Sequence, residues 1–210
     1  MTVPDSSPPM LHELDDATRA LIRLSAVVTA GSEIEIRDAI VDSAGHIPAG
    51  WVEELILQSY LFAGFPRALN AMREWRRVQP EPELRGISYD VVTWRSEGQE
   101  TCAAVYGPMY GRLRENIRAL HPALDEWMIT EGYGKVLSRP GLDLPRRELC
   151  IVAACAAAGQ DRQLHSHLHG ARNVGVAPAA IDDAVETIAG LLAGDRAQSL
   201  RLLWARVRGK

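Results

Sequence analysis

Three cysteines in 210 residues, Cys102, Cys150 and Cys155, and no Cys-x-x-Cys pair leave no disulfide framework and no paired redox thiols. Cys150 and Cys155 are five apart, so on a helix they point in different directions and read as small buried apolar residues with reduced thiols. Aromatic residues make up only 6% of the chain. No apolar run reaches the ~18 residues of a membrane span. A basic start followed by an apolar core is also missing, so no secretory signal is read and a cytoplasmic location is expected. With a formal net charge of -4, there is no electrostatic reason to expect nucleic acid as a partner. The cations near the end, Arg201, Arg206, Arg208 and Lys210, suit the last turns of a helix.

What is present favours helix. Hydrophobic residues reach 47% and charged residues 24%, a normal globular balance. Alanine, leucine and arginine are plentiful, and they lose little side-chain freedom in a helix. The Pro- and Ser-rich start, residues 1–12, is expected to be a mobile arm. Apolar stripes at three- and four-residue spacing then predict helices over 17–30, 33–44, 51–63 and from Pro66 to about Val78. Residues 79–101, with Pro80, Pro82, Gly86 and Gly98, read as a linker, with a short extended piece at Tyr89–Trp94. Helix resumes near Glu100 and runs to Leu120. Another follows from Pro122 to Gly132, and a loop spans Gly134–Leu142. Asp143 caps a helix with Pro145 in its first turn, and this helix is apolar on every side from Leu149 onward. Further helices are predicted over 162–174, 178–193 and 195–208.

The two ends of the chain share a pattern. Each has a helix closing in Ala-Gly, an amphipathic helix, a Gly and Pro turn, a helix closing again in Ala-Gly, and a basic helix. The paired landmarks Gly31 and Gly159 are 128 apart, and Gly64 and Gly194 are 130 apart. The predicted architecture is therefore all-α, with two tandem helical repeats packed together: residues 13–78 as scaffold and 102–210 carrying the site.

Two polar residues stand out in the second repeat. On the helix after Gly159, Leu164, Leu168, Ala171 and Val174 share one side by helical steps, and His167 falls among them. His165 and His169 face the other way. Glu148 shares a stripe with Ile151, Val152 and Cys155 on the most apolar helix. A carboxylate there is costly unless paired or protonated. The two helices are joined by a tight turn, so the side chains can meet and exchange protons. A buried pair that only fixes register would look the same. The first repeat has Ala20 in place of Glu148, and Ala39 or Ile40 in place of His167.

Other constellations carry less. Asp161, His165 and His169 make a metal-like stripe, but no fourth ligand is evident and solvated polar residues explain it more simply. No metal or cofactor is expected. Tyr60, Tyr106, Tyr110 and Tyr133 can line a pocket or pack in a core. Arg139, Arg146 and Arg147 cluster beside Glu148 and suit either a solvated helix start or recognition of substrate carboxylates.

The stretch from Ser138 to Gly190 resembles the carboxymuconolactone decarboxylase family. The resemblance rests on RPGLD ahead of R-E-L, an Ala-rich helix ending in Gly, and H-x-x-G-A-x-N-x-G over His167–Gly175. VEELILQSYLFAGFPRALNA in the first half is similar to the same family's closing helices. The resemblance implies an all-α fold, homo-oligomeric assembly and a small-molecule substrate. One branch of the family decarboxylates 4-carboxymuconolactone in aromatic catabolism. The other, alkyl hydroperoxidase D-like, reduces peroxides with a Cys-x-x-Cys pair served by a Glu and His relay. That relay matches Glu148 and His167, but the cysteine positions fall at Gln160 and Gln163. Without thiolates there is no peroxide nucleophile. The chemistry implied is a cofactor-free lyase with Glu148 and His167 as catalytic groups and Arg139, Arg146 and Arg147 as substrate-binding groups. The alternatives are a thiol peroxidase or a non-enzymatic oligomeric scaffold.

Overall fold

The structure, a computed structural model, describes residues 10–82 and 90–209. Among these residues there is no strand beyond one isolated parallel bridge between Leu11 and Val176. The arm expected over residues 1–12 is thus pinned at its end. Leu11 donates its N–H to the Gly175 carbonyl, and its own carbonyl accepts from Ala177 N–H. Residues 1–9 lie outside the described range.

Four helices open the chain: α1 (Asp16–Ala30), α2 (Glu33–Ser43), α3 (Ala49–Ala63) and α4 (Phe65–Val78). Local chemistry sets their limits. The Asp15 carboxylate accepts from Thr18 N–H at the start of α1. Ser32 and Glu35 cap α2 reciprocally, satisfying two N–H groups left open at a helix start. Gly64, at φ 84°, makes the sharp corner into α4, where Pro66 sits in the first turn.

The middle of the chain departs from the sequence expectation. Helix α5 spans Val91–Tyr106, so residues 91–99 are helical rather than linker, and Val91–Trp94 is not extended. Tyr89 lies outside the described residues. The helix expected to continue to Leu120 breaks at Gly107 and Pro108 in a single 3-10 turn, and α6 (Tyr110–Leu120) follows. Next come α7 (Pro122–Trp127) and a π-helical stretch, Met128–Leu137, where a loop was expected from Gly134.

Gly98 and Gly134, which look like breakers in sequence, explain the first and the last of these differences. A Cβ on Gly98 would overlap the Ile129 carbonyl oxygen, and one on Gly134 would overlap that of Trp94. The two backbones touch there, so these glycines mark a close helix crossing and not turns.

The chain closes with α8 (Leu144–Ala158), α9 (Asp161–Asn173), α10 (Pro178–Ala189) and α11 (Gly194–Arg208). Asp143 caps α8 through Arg146 N–H, and Gly159 ends it in a left-handed conformation. Helix α8 is the centre of the molecule, with Leu149 through Ala156 all buried. It packs against α1, α3, α9 and α10. The pairings are reciprocal: α1 meets α10 as α8 meets α3, and α1 meets α2 as α8 meets α9. Arg146 ties the paired starts, reaching Asp143 at 2.6 Å and Asp15 at 3.2 Å. Leu14, Ile22 and Ala26 of the first half share one apolar core with α8–α11.

Candidate active site

The site begins with α8 and α9, joined by the two-residue turn at Gly159 and Gln160. That turn lays the helices side by side and directs Glu148 and His167 at each other. Glu148 Oε2 lies 2.9 Å from His167 Nδ1, with Glu148 fully buried and His167 5% exposed. Gly170, one turn beyond His167, leaves room for the carboxylate, since a Cβ there would overlap Glu148 Oε2. The other oxygen, Oε1, is buried with no hydrogen-bond partner among the described residues.

With Nδ1 held by a carboxylate, the imidazole has a fixed orientation, and Nε2 is its free nitrogen. The ring is flanked edge-on by Phe62 and Tyr106, with centroids 6.2 and 6.3 Å away. It lines a cavity of about 650 Å³. One wall is the face of α9 carrying Arg162, Gln163, Ser166 and His167. The opposite wall includes Leu113, Ile117, Leu124 and Trp127 from α6 and α7. The π-helical stretch supplies Met128, Glu131, Gly132, Tyr133 and Leu137. Its wider turn brings these side chains to one face, and such turns often occur at functional sites. Glu131 accepts a hydrogen bond of 3.0 Å from the Tyr60 hydroxyl. Burial pushes the Tyr106 phenol up to about 12 and raises that of Tyr133 as well, so both stay protonated near neutral pH.

The three arginines expected beside the site lie elsewhere. Arg147 is fully buried. It donates to Glu54 at 2.8 Å, to Gln58 at 3.0 Å and to the carbonyls of Leu142 and Arg139. Arg139 forks onto the same Glu54 at 2.9 and 3.1 Å. Arg146 holds Asp15, Asp143 and Thr18 and lies 4.4 Å over the Trp51 ring. None of the three lines the cavity with His167. Arg147 and Glu148 are neighbours in sequence, but a helix turns about 100° per residue. Arg147 therefore faces α3 while Glu148 faces α9. The cation that sequence reasoning missed is Arg162. It is exposed at the cavity and has no ion pair or side-chain hydrogen bond among the described residues.

Asp161, His165 and His169 do not converge. Asp161 reaches toward Arg196 at 3.6 Å, and the two histidine rings stack edge-on at 4.9 Å. No group of three or more His, Cys, Asp or Glu side chains suited to a metal ion occurs among the described residues. All three cysteines are buried and unpaired, and none lines the cavity. No helix among the described residues is long and apolar enough to cross a membrane. Ala20, which the sequence pattern sets against Glu148, and Ala39, one of the two residues it sets against His167, line a separate cavity of about 410 Å³, which Ile40, the other, does not line.

The family model described as "Carboxymuconolactone decarboxylase family" matches residues 122–206, which takes in α7 through most of α11. The matched part of the chain contains both Glu148 and His167. The chain is also similar to Peroxisomal protein 2 of Schizosaccharomyces pombe, at 30% identity over 129 residues. The match covers 59% of this chain and 60% of that protein, so the chain spans less than two thirds of its relative.

Proposed function

We propose that the chain is a cofactor-free lyase of the carboxymuconolactone decarboxylase type, in which His167 carries a proton and Glu148 positions it. The observation behind this reading is the buried 2.9 Å contact between Glu148 and His167 Nδ1, on the wall of a cavity large enough for a small molecule. The carboxylate fixes the ring through Nδ1 and leaves Nε2 as the nitrogen that hands over the proton at the cavity. In a carboxylated lactone, the bond from carbon to carboxylate breaks and CO2 leaves. The electron pair spreads into the unsaturated ring and then takes the proton from Nε2. Solvent returns a proton to the imidazole. Apolar walls favour loss of the charged carboxylate over its retention.

Incubation with 4-carboxymuconolactone and with alkyl-substituted monocarboxylate lactones tests the reading. CO2 release, with deuterium incorporated from D2O at the carbon that lost it, is expected from at least one of them. His167→Ala abolishes it. No release from any of them by the wild-type protein would remove this activity. The reading takes in a first half serving as scaffold and a cytoplasmic location, to be checked by cell fractionation. It also takes in a homo-oligomer, to be checked by light scattering. The oligomer is supported by α6, in which no residue is fully buried and Leu120 is 73% exposed.

A further inference from the structure

The cavity beside His167 has two chemically opposite walls. The α9 wall is polar throughout: Arg162 and Ser166 are four apart, as are Gln163 and His167, so the four side chains form one face of a single helix. The α6–α7 wall is mainly apolar, from Leu113, Ile117, Leu124 and Trp127 with Asn116 among them, and Leu61 and Phe62 add apolar surface beside His167. Glu131 is the one carboxylate among the lining residues, and the Tyr60 hydroxyl holds it at 3.0 Å. Arg162 is the matching oddity on the polar side, a guanidinium without an ion pair among the described residues, at the exposed end of the face that carries His167.

From this asymmetry we infer that the cavity takes an amphiphilic monocarboxylate, with its carboxylate against Arg162 and His167 and a sizeable apolar body along the α6–α7 wall. Charge and shape both support this. A guanidinium fork suits one carboxylate. A second carboxylate on the same molecule would lie against leucine and isoleucine or near Glu131, and a desolvated unpaired charge is costly. A volume of about 650 Å³ is within the range of pockets that enclose much larger ligands than a bare lactone ring. The apolar wall contributes affinity in proportion to the area it covers.

This inference rests on the proposed site, but its test is separate from turnover. Tryptophan fluorescence follows binding through Trp127, which is on the wall and 61% exposed. The probes are dodecanoate, dodecanol and citrate. Dodecanoate is expected to bind most tightly, dodecanol more weakly and citrate not at all. Arg162 has no structural partner to lose, so Arg162→Glu should leave the fold intact. It should weaken dodecanoate at least about tenfold, the value of a charge-assisted hydrogen bond, and leave dodecanol unchanged. Leu124→Asp should weaken both. His167→Ala should retain dodecanol binding while losing turnover. Binding of citrate in preference to dodecanoate, or an equal response of wild type and Arg162→Glu to dodecanoate, would overturn the inference. Dodecanoate binding that needs Arg162, in a protein that turns over no lactone, would uphold it while refuting the lyase reading.

Discussion

Gly170 lies against the carboxylate of Glu148, where a methyl group would overlap Oε2 and stand 2.8 Å from Val105 Cγ1. On helix propensity alone, Gly170→Ala should stabilise α9 by about 1 kcal/mol. The clash opposes this, because both the carboxylate and the valine it meets are buried. Overpacking of this kind costs about 1–3 kcal/mol. The expected outcome is a net loss of stability in urea unfolding and a fall in kcat larger than any change in KM, because the imidazole loses its fixed orientation. A variant more stable than wild type with full activity would show that Gly170 does not set the position of Glu148.

Much of the fold is legible in the sequence because its signals are local. Asp143 and Pro145 mark the start of α8, and the unbroken apolar run after Leu149 marks its burial. The contact between Glu148 and His167 can be anticipated for the same reason, since helical phase places each residue and a two-residue turn joins their helices. Other features depend on distant parts of the chain. Arg147 is drawn away from the site by Glu54 and Gln58, which sit on α3. The wall formed by Leu113, Ile117 and Leu124 is visible only when α6 and α7 fold back across α9. The π-helical winding of residues 128–137 has no residue signature, and Gly134 reads as the start of a loop until its contact with α5 is seen.

The α5 crossing provides a stability test. With Ala at position 98, Cβ would overlap the Ile129 carbonyl and stand 2.9 Å from Gly134 N. With Ala at 134, it would overlap the Trp94 carbonyl. Backbone cannot rotate aside as a side chain can. Gly98→Ala and Gly134→Ala should each cost about 3 kcal/mol, the upper part of the overpacking range, and lower Tm by roughly 6–12 °C. Calorimetry measures this. Gly111→Ala, where nothing lies within 4 Å, serves as the control and should be neutral or stabilising.

Acid should loosen the α6–α7 hairpin that forms the apolar wall. Arg114, hydrogen-bonded to the buried Asp125, holds that carboxyl below its ordinary value, and Arg118 adds to the effect. A folded-state pKa below the unfolded one means the pair stabilises above roughly pH 4. That contribution is lost as pH falls through the folded value. Asp125→Asn should therefore cost about 1–3 kcal/mol at pH 7, and the gap from wild type should narrow between pH 4 and pH 2. Urea midpoints at pH 7 and pH 3 check the sign. A gap that widens in acid would contradict the assignment.

The buried thiols separate the lyase reading from a peroxidase. Burial pushes Cys102 and Cys155 up to about 12 and raises Cys150 further. At pH 8 the thiolate fraction of a group titrating near 12 is on the order of one in ten thousand. None of the three reaches the cavity, so peroxide bound beside His167 would meet no nucleophile. Native protein should resist iodoacetamide at pH 8 and react fully once unfolded in urea, as read by mass spectrometry. Replacing all three cysteines by alanine should leave lactone turnover and dodecanoate binding unchanged apart from a modest loss of stability. Hydroperoxide consumption that needs any one of these thiols would refute the lyase reading and make the Glu148–His167 pair a relay for sulfur chemistry.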